Sequence, residues 1–283
     1  MTGGATGEAD PEIGRSVDAG GVVTNYHDVG QGRPVLLVHG SGPGVSGWAN
    51  WRLTIRDLSP RFRLLAPDMM GFGHSAHAAD GVYTREKWLG QLVGLLDALE
   101  LDRVDVVGNS FGGSMALALA IHHPDRVRRL VTMGSVGVPF ELTAGLDAVW
   151  GYRPGIEDMR AIMKIFAYDQ SLVGDDLAEL RYRASVRPGV QEAYAAMFPA
   201  PRQRWVEAMS HTEAEIRAIP HPTLLLHGRD DLVIPLSTSL TLLEWIENSR
   251  LHVFGRCGHW TQIERADEFT RLVTDFLGSA DPY

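Results

Sequence analysis

The sequence predicts an α/β fold, with a mostly parallel, doubly wound sheet into which a helical segment is inserted. Short runs rich in Leu and Val, each flanked by turn residues, alternate with longer segments whose apolar residues recur at helical spacing. This alternation predicts parallel strands with helices on both faces of the sheet, and continuous apolar runs suit strands buried on both faces. The alternation stops between about residues 138 and 212, where only helical patterns occur.

Six apolar runs predict the parallel strands, and one earlier segment predicts a hairpin. The runs are RPVLLVHG (33–40), RFRLLAPD (61–68), DRVDVVGN (102–109), RRLVTMGS (128–135), PTLLLHGR (222–229) and SRLHVFGR (249–256). The segment GGVVTNYHDVGQGRP (20–34) predicts an antiparallel hairpin that leads into the sheet.

Helical periodicity is clearest in TREKWLGQLVGLLDALE (84–100) and ADEFTRLVTDFLG (266–278). The interrupting stretch adds three further helical patterns, IEDMRAIMKIFAYD, GDDLAELRYRAS and GVQEAYAAMF, and the charged segment EAEIRAIPHP then returns the chain to the sheet. We therefore expect a core formed by residues 1–137 and 213–283, with residues 138–212 as a helical cap.

Composition and charge limit the classes of partner. The chain has 283 residues, 26 Lys and Arg against 35 Asp and Glu, and a formal net charge of −9. An acidic chain does not favour nucleic acid or an anionic membrane. No apolar run approaches the roughly 20 residues that span a bilayer, and the first residues lack the apolar core of a signal peptide. We expect a cytoplasmic protein that acts on a small molecule, without membrane or nucleic-acid partners.

The stretch GNSFGG places Ser110 where a strand turns into a helix, with Gly108 and Gly112 on either side. Such a sharp turn strains the central residue, brings its neighbours too close for a Cβ, and presents the hydroxyl at a helix N-terminus. The alternative is an ordinary serine N-cap on a glycine-rich turn.

A nucleophilic serine needs a histidine base and a carboxylate that orients it, in the chain order Ser, Asp, His for this type of fold. Asp231, in HGRDDLVIP, and His259, in FGRCGHWTQIE, each follow a predicted strand. Both therefore belong to the carboxyl edge of the sheet, where sites form. Asp230 is the rival carboxylate, and the spacing after Gly228 favours Asp231.

An oxyanion site should accompany this triad. One donor is the backbone N–H of Phe111, the residue after the nucleophile, and the other should come from the loop HGSGPG (39–44) after an earlier strand. Either Ser41 or Gly42 presents that second N–H.

No metal site or cofactor is expected. His211 and Glu213 are expected to have no third ligand nearby. Cys257 is the single cysteine, so an internal disulfide is impossible, and its place at a strand end suggests a buried small residue.

Several longer stretches resemble the meta-cleavage product hydrolases, α/β-hydrolases that cut carbon–carbon bonds, and especially the 2-hydroxymuconic semialdehyde hydrolases among them. They are LLVHGSGPGVSGWANWR, APDMMGFGHS, GNSFGG, MGSVGVPF, HGRDDLVIPL and HVFGRCGHWTQIE, together with DDLAELRY and PGVQEAYAAMFPAPRQ in the predicted cap. The resemblance runs from about Pro11 to Leu277 and implies an α/β-hydrolase fold.

The resemblance also implies roles for individual residues. It assigns Ser110, Asp231 and His259 to the triad, and Ser41 and Phe111 to the oxyanion donors. A further set of residues is expected to bind the substrate: Gly42, Asn50, Asn109, Phe166, Arg181, Val233 and Trp260. A fixed guanidinium such as that of Arg181 can grip a carboxylate through two hydrogen bonds.

The implied reaction is hydrolysis of a 2-hydroxy-6-oxo-hexa-2,4-dienoate in catechol degradation, without a cofactor, by an enzyme that forms a homodimer or larger homo-oligomer. The main alternative is a carboxylester hydrolase, because it would use the same triad. A haloalkane dehalogenase would need Asp at position 110, a cofactor-free haloperoxidase usually lacks a long cap, and a non-catalytic binding module of this fold typically loses a triad member.

Overall fold

The computed structural model describes residues 10–279, and an eight-stranded sheet runs through this part of the chain. The strands are β1 Arg15–Asp18, β2 Val23–Val29, β3 Pro34–Val38, β4 Arg63–Pro67, β5 Val104–Asn109, β6 Val127–Met133, β7 Thr223–Gly228 and β8 Ser249–Phe254. Their order across the sheet is β1-β2-β4-β3-β5-β6-β7-β8. Residues 1–9 and 280–283 of the predicted core lie outside the described residues.

The six predicted parallel strands are confirmed, since each predicted run contains one of β3 to β8 and neighbouring strands of this set pair in parallel. The predicted hairpin starts earlier than expected. It joins β1 to β2, with its turn at Gly20 and Gly21 (φ 64° and 87°). The prediction that residues 20–34 contain the whole hairpin was therefore wrong. Only glycine adopts such backbone angles readily, and the Asp18 carboxylate accepts from the Gly21 N–H at 2.6 Å.

Helices follow β3 and the later strands. Those near the sheet are α1 Gly47–Leu58, α2 Arg85–Ala98, α3 Phe111–His122, α10 Ser237–Trp245, α11 Thr261–Glu264 and α12 Ala266–Gly278. Those between β6 and β7, which we call the inserted helices, are α4 Ala144–Trp150, α5 Ile156–Phe166, α6 Asp175–Ser185, α7 Val190–Met197, α8 Gln203–Ala208 and α9 Glu213–Arg217.

The sequence patterns predicted α5, α6 and α7 but not α4, α8 and α9. These three helices have seven, six and five residues, and so short a segment shows little more than one turn of periodicity. For α9 a local signal was present, because Thr212 and Glu215 form a capping box. The division of the chain at residues 138 and 212 stays a prediction.

Both faces of the sheet are covered, as a doubly wound sheet requires. One face packs against α2 and α3, where Leu92 and Met115 are completely buried. The other face packs against α1 and α12, where Trp51 and Phe269 are completely buried. All six residues of β5 are buried, so the strand before Ser110 lies at the centre of the molecule. In the described part of the chain, no helix has the length and apolar character needed to cross a membrane.

Parallel strands place their carboxyl ends at one edge of the sheet, where open α/β sheets bind ligands. Four of the predicted site residues follow such ends: Ser41 follows β3, Ser110 follows β5, Asp231 follows β7 and His259 follows β8. The inserted helices depart from the same edge, after β6.

Candidate active site

Ser110 occupies a strained turn between β5 and α3. Its backbone has φ 54° and ψ −113°, a conformation that costs a non-glycine residue about 1–3 kcal/mol. The neighbouring strand holds it there, because the Ser110 N–H donates to Met133 O (2.9 Å) and its carbonyl accepts from the Val136 N–H (3.2 Å). Ser110 stands at the N-cap position of α3 but its side chain makes no cap hydrogen bond. The hydroxyl is thus presented for another use.

The two flanking glycines are required by close backbone contacts. A Cβ at position 108 would lie 2.3 Å from the carbonyl oxygen of Gly112, and a Cβ at position 112 would lie 2.2 Å from the carbonyl oxygen of Val38. Backbone contacts this short leave no room for any side chain. The strand-to-helix turn around Ser110 therefore depends on glycine at both positions.

Asp231 orients His259. The His259 Nδ1 lies 2.7 Å from Asp231 Oδ2, and since the carboxylate accepts, Nδ1 carries the hydrogen and Nε2 is left as the base. The other carboxylate oxygen accepts from the N–H groups of Val233 (2.7 Å) and Ile234 (3.0 Å). Burial alone would raise the pKa of Asp231, but the charge and hydrogen bond of His259, with help from His227, hold that pKa below its ordinary value.

Asp230 points elsewhere. Its carboxylate accepts from the Cys257 N–H at 3.3 Å and lies 3.3 Å from the Arg229 guanidinium. The hydrogen bond to His259 in the structure is thus made by the carboxylate that the sequence favoured, and Asp230 joins the loop after β7 to the loop after β8.

A second histidine, His227, lies behind Asp231, and the sequence analysis did not identify it. The His227 Nε2 lies 3.0 Å from Ile234 O and 3.5 Å from Asp231 Oδ2, and its Nδ1 lies 2.7 Å from Ser239 Oγ. Burial lowers the pKa of His227, while the Asp231 charge and the hydrogen bond to Ile234 oppose that shift. The only sequence signal was its place in LLLHGRDD, four residues before Asp231.

Glu264 was also missed, and it joins the His259 loop to the inserted helices. One of its oxygens accepts from the Gly258 N–H (2.7 Å), and the other accepts from the N–H groups of Tyr168 (2.8 Å) and Asp169 (2.9 Å). The His259 N–H donates to Phe166 O at 2.8 Å. The position of the histidine is therefore tied to the end of α5.

A cavity of about 260 Å³ lies between the sheet edge and the inserted helices. Most of the predicted site residues line it: Ser41, Gly42, Asn50, Asn109, Ser110, Phe166, Arg181, Val233, His259 and Trp260. Phe111 and Asp231 do not. The Phe111 side chain is completely buried, with its ring 4.7 Å from that of Trp88, so only its backbone can serve the site. Asp231 contacts His259, which lines the cavity.

One end of the cavity is polar. Asn50 Nδ2 and Gln262 Oε1 are buried, and neither has a hydrogen-bond partner within the described residues. Both residues line the cavity. Unpartnered buried polar atoms cost free energy unless a ligand satisfies them. This end therefore offers one donor and one acceptor to a bound molecule, and Gln262 is a lining residue that the sequence analysis did not identify.

Arg181 brings a buried positive charge to the same cavity. It is 7% exposed, and its guanidinium donates to Gly44 O and Ala49 O, each at 3.1 Å. The nearest carboxylate, that of Glu12, lies 3.8 Å away. Burial lowers the pKa of Arg181 to about 10, so the group is still a cation at neutral pH. It is suited to an anionic ligand.

Aromatic rings form the wall beside the histidine. The Phe166 ring stacks on that of Trp260 (centroids 5.0 Å apart, interplanar angle 16°) and on that of His259 (5.7 Å, 23°). These contacts place Phe166 and Trp260 on the same side of the cavity as the base.

Outside this cavity, the described residues contain a group of metal-ligating types that the sequence analysis did not foresee. Ligand atoms of His122, His211 and Glu215 lie within 4.8 Å of one another, so the expectation that His211 lacks a third ligand nearby was wrong. Both ring nitrogens of His211 already have neighbours, the Arg85 guanidinium (3.4 Å) and Ser114 O (3.4 Å). A cation beside the arginine would be repelled, and we assign no metal to this group.

Residues 33–266 match the family described as alpha/beta hydrolase fold, so the class of protein is an α/β hydrolase. A variant of the meta-cleavage product hydrolase from Pseudomonas fluorescens IP01, complexed with acetates, has a similar structure. Its TM-score is 0.95 at 54% identity, covering 96% of this chain and all of that one (100%).

Two curated relatives narrow the family. The chain is 61% identical over 271 residues to the 2-hydroxymuconate semialdehyde hydrolase of Pseudomonas sp. strain CF600, covering 96% of each protein. It is 64% identical over 270 residues to the 2-hydroxy-6-oxo-2,4-heptadienoate hydrolase of Pseudomonas putida F1, covering 95% of this chain and 98% of that one. The chain belongs to the meta-cleavage product hydrolases, enzymes of aromatic degradation that hydrolyse a carbon–carbon bond.

Proposed function

We propose that the protein hydrolyses ring-opened catechols of the 2-hydroxy-6-oxo-hexa-2,4-dienoate type, namely 2-hydroxymuconic semialdehyde and its 6-alkyl analogues. The products are 2-hydroxypenta-2,4-dienoate and formate or a small carboxylic acid. The observation that carries this proposal is the shared cavity, which is lined by a buried arginine, an unpartnered Asn50 amide, Ser110 and His259. The names of the two relatives, whose substrates carry hydrogen or methyl at C6, agree with it.

A carbon–carbon bond breaks readily only when the departing carbon leaves as a stabilised carbanion. The dienol therefore first moves a proton to C5 and becomes the 2-ketone. In the proposed complex, Arg181 holds the carboxylate, while Asn50 and Gln262 satisfy the 2-oxygen. Asn109 or His259 assists the proton transfer.

Ser110 then forms the new bond. His259 takes the hydroxyl proton, and the serine oxygen attacks C6. The oxyanion is stabilised by N–H donors from Phe111 and from Ser41 or Gly42, each worth about 3–4 kcal/mol in related hydrolases. Cleavage of the C5–C6 bond leaves its electron pair delocalised to the 2-oxygen, which takes up a proton. Water then releases the acyl group from Ser110 as formate or as the corresponding acid.

A carboxylester hydrolase is the alternative, because the same triad would serve it. The proposal is tested by mixing the purified protein with ring-opened catechol and ring-opened 3-methylcatechol. We expect loss of the yellow dienolate absorbance, with formate from the first compound and acetate from the second. Hydrolysis of p-nitrophenyl esters without turnover of either dienoate would favour the alternative.

We predict that the group at C6 is limited in size. The cavity wall contains Val233, Phe166 and Met163. A hydrophobic pocket discriminates weakly over one methyl group, by roughly 1–3 kcal/mol, but an overfilled pocket rejects a ring. The 6-hydrogen and 6-methyl compounds should thus have kcat/KM values within about a hundredfold of each other. The 6-phenyl compound should be much poorer, and a preference for it would refute this account of the wall.

Arg181 should control recognition of the carboxylate. Loss of a charge-assisted hydrogen bond costs roughly 1.5–3 kcal/mol, so Arg181→Gln should lower kcat/KM on the dienoates about 10- to 100-fold, chiefly through KM. Arg183→Gln is the matched control, since its guanidinium is largely exposed and pairs with Glu179 on the same helix. Equal effects of the two substitutions would mean that Arg181 does not bind the substrate.

The expected cytoplasmic location and the expected homodimer or larger homo-oligomer stay predictions. Size-exclusion chromatography with light scattering measures the second.

A further inference from the structure

Ser41 is contacted from the inserted helices as well as from its own loop. The Trp150 Nε1–H, at the end of α4, donates to Ser41 Oγ at 3.0 Å. The Tyr194 hydroxyl, on α7, lies 3.0 Å from Ser41 O and 2.7 Å from Val149 O, and shares its single hydrogen between these carbonyls. Two inserted helices thus meet at one residue of the candidate oxyanion loop.

The direction of the Trp150 hydrogen bond determines that of the serine hydroxyl. An indole N–H can only donate, so Ser41 Oγ must be the acceptor, and its own hydrogen is left to donate elsewhere. Among the described residues, the structure gives the Ser41 hydroxyl no hydrogen bond in which it is the donor. Ser41 lines the cavity that also contains Ser110. The free hydrogen is therefore available to an oxygen of a ligand in that cavity.

Trp150 is well placed to hold this geometry. Its side chain is 2% exposed, and its ring stacks on that of Phe198 with centroids 4.5 Å apart and an angle of 7°. The Tyr194 bond to Val149 O fixes the neighbouring turn of α4. A donor locked by packing is what a preorganised polar site requires.

We propose that Trp150 is a positioning residue for the reaction, which acts through Ser41. It holds the Ser41 side chain so that the hydroxyl hydrogen donates to the oxygen of the carbonyl that Ser110 attacks, which gains negative charge; in the dienoate this is the C6 oxygen. This inference rests on the proposed function for the identity of that oxygen. Under this proposal, the Ser41 hydroxyl is held in this orientation only when α4 and α7 are packed against the Ser41 loop.

A double-mutant cycle tests the proposal. We expect Ser41→Ala to lower kcat about 100-fold, as loss of one oxyanion-type donor does. Trp150→Phe keeps an aromatic ring against Phe198 but removes the N–H, and should lower kcat about tenfold with KM changed less than threefold, since one neutral hydrogen bond is involved. Because Trp150 acts through Ser41, adding Trp150→Phe to Ser41→Ala should lower kcat by less than a further twofold.

Two other aromatic residues serve as matched controls, Tyr152 between α4 and α5 and Trp205 on α8. The Tyr152 hydroxyl bonds to Ser185 (2.9 Å), and the Trp205 Nε1–H donates to Pro199 O (2.7 Å). Neither contact reaches Ser41. Tyr152→Phe and Trp205→Phe should leave kcat within about twofold of the wild type, although each removes one hydrogen bond and so lowers the free energy of unfolding by about 1 kcal/mol.

The same tenfold loss from Trp150→Phe with and without the Ser41 hydroxyl would overturn the proposal, because it would show an effect of packing alone. No loss from Trp150→Phe would overturn it as well. If Trp150→Phe does not fold, Trp150→Met, which also removes the N–H and fills the site with a flexible apolar side chain, replaces it in the cycle. It should lower kcat at least tenfold, and additive effects with Ser41→Ala would then be the contrary result.

Running the cycle on p-nitrophenyl acetate as well separates this proposal from the proposed function. Ester hydrolysis needs Ser110 and the oxyanion donors but no dienoate. If the wild type hydrolyses the ester and not the dienoates, the proposed function fails. Non-additive effects of Ser41→Ala and Trp150→Phe on the ester would still support the role of Trp150, and additive ones would refute it.

Discussion

Replacing Ser110 with alanine is expected to abolish turnover of the dienoates, with kcat lowered by several orders of magnitude. No other hydroxyl occupies the strained turn, and knocking out the serine of a serine-protease triad costs up to about 10⁶ in kcat, since the triad acts as a unit. Substrate binding should persist, because Arg181, Asn50 and Gln262 are untouched. Loss of dienolate absorbance measures turnover, and titration of the variant with substrate measures binding.

Ser114→Ala is the control for this prediction. Ser114 lies one turn further along α3 and its hydroxyl donates to Met209 O at 2.6 Å. Removing that buried bond should lower the free energy of unfolding by about 1 kcal/mol and leave kcat within a few-fold of the wild type. Normal turnover by the Ser110→Ala variant would rule out the serine as nucleophile.

Replacing Asp231 with asparagine is expected to lower kcat by about 10⁴, the effect of the same change in a serine-protease triad. The geometry gives the reason. Two N–H groups, from Val233 and Ile234, donate to one carboxylate oxygen, so the carbonyl of the asparagine must take that side. Its NH₂ group then faces His259 Nδ1, which has to accept, and the ring hydrogen moves to Nε2. The histidine can no longer take the Ser110 proton.

Asp230→Asn is the matched control, because it makes the same chemical change one residue away. The Asp230 carboxylate contacts the Cys257 N–H and Arg229, and an amide oxygen can still accept from both. We expect kcat to fall less than fivefold, since only hydrogen bonds in the turn are weakened. A larger loss from Asp230→Asn than from Asp231→Asn would reverse the assignment of the orienting acid.

Much of the fold could be predicted because its signals are local. Each of β3 to β8 is a short apolar run between turn residues, and α12 was predicted with the ends that the structure gives it, Ala266 and Gly278. The first hairpin was misplaced because two glycine-containing segments compete for the turn, and the pairing of β2 with β4 decides between them. The helices α4, α8 and α9 were missed because they are too short for a clear period.

The residues of the candidate site likewise fall into two groups, those with a local sequence signal and those without one. Ser110, Asp231 and His259 each carry a local signature, a glycine-flanked turn or a position just after a strand, and the order of the three along the chain adds to it. No such signature marks Gln262, which lines the cavity, or Glu264, which bonds to the chain just after α5. Both residues lie on the short helix α11, and their neighbours come from distant parts of the chain.

By itself, the sequence determined the class of fold, the likeness to meta-cleavage product hydrolases and the residues of the candidate triad, since these depend on local periodicity, glycine positions and order along the chain. Only the tertiary structure decided which carboxylate meets His259, which buried polar atoms lack partners, and that Trp150 donates to Ser41 across 109 positions of sequence. The physical reason is that a hydrogen bond needs an approach of about 3 Å. That approach is set by how the inserted helices pack on the sheet, which no short stretch of sequence encodes.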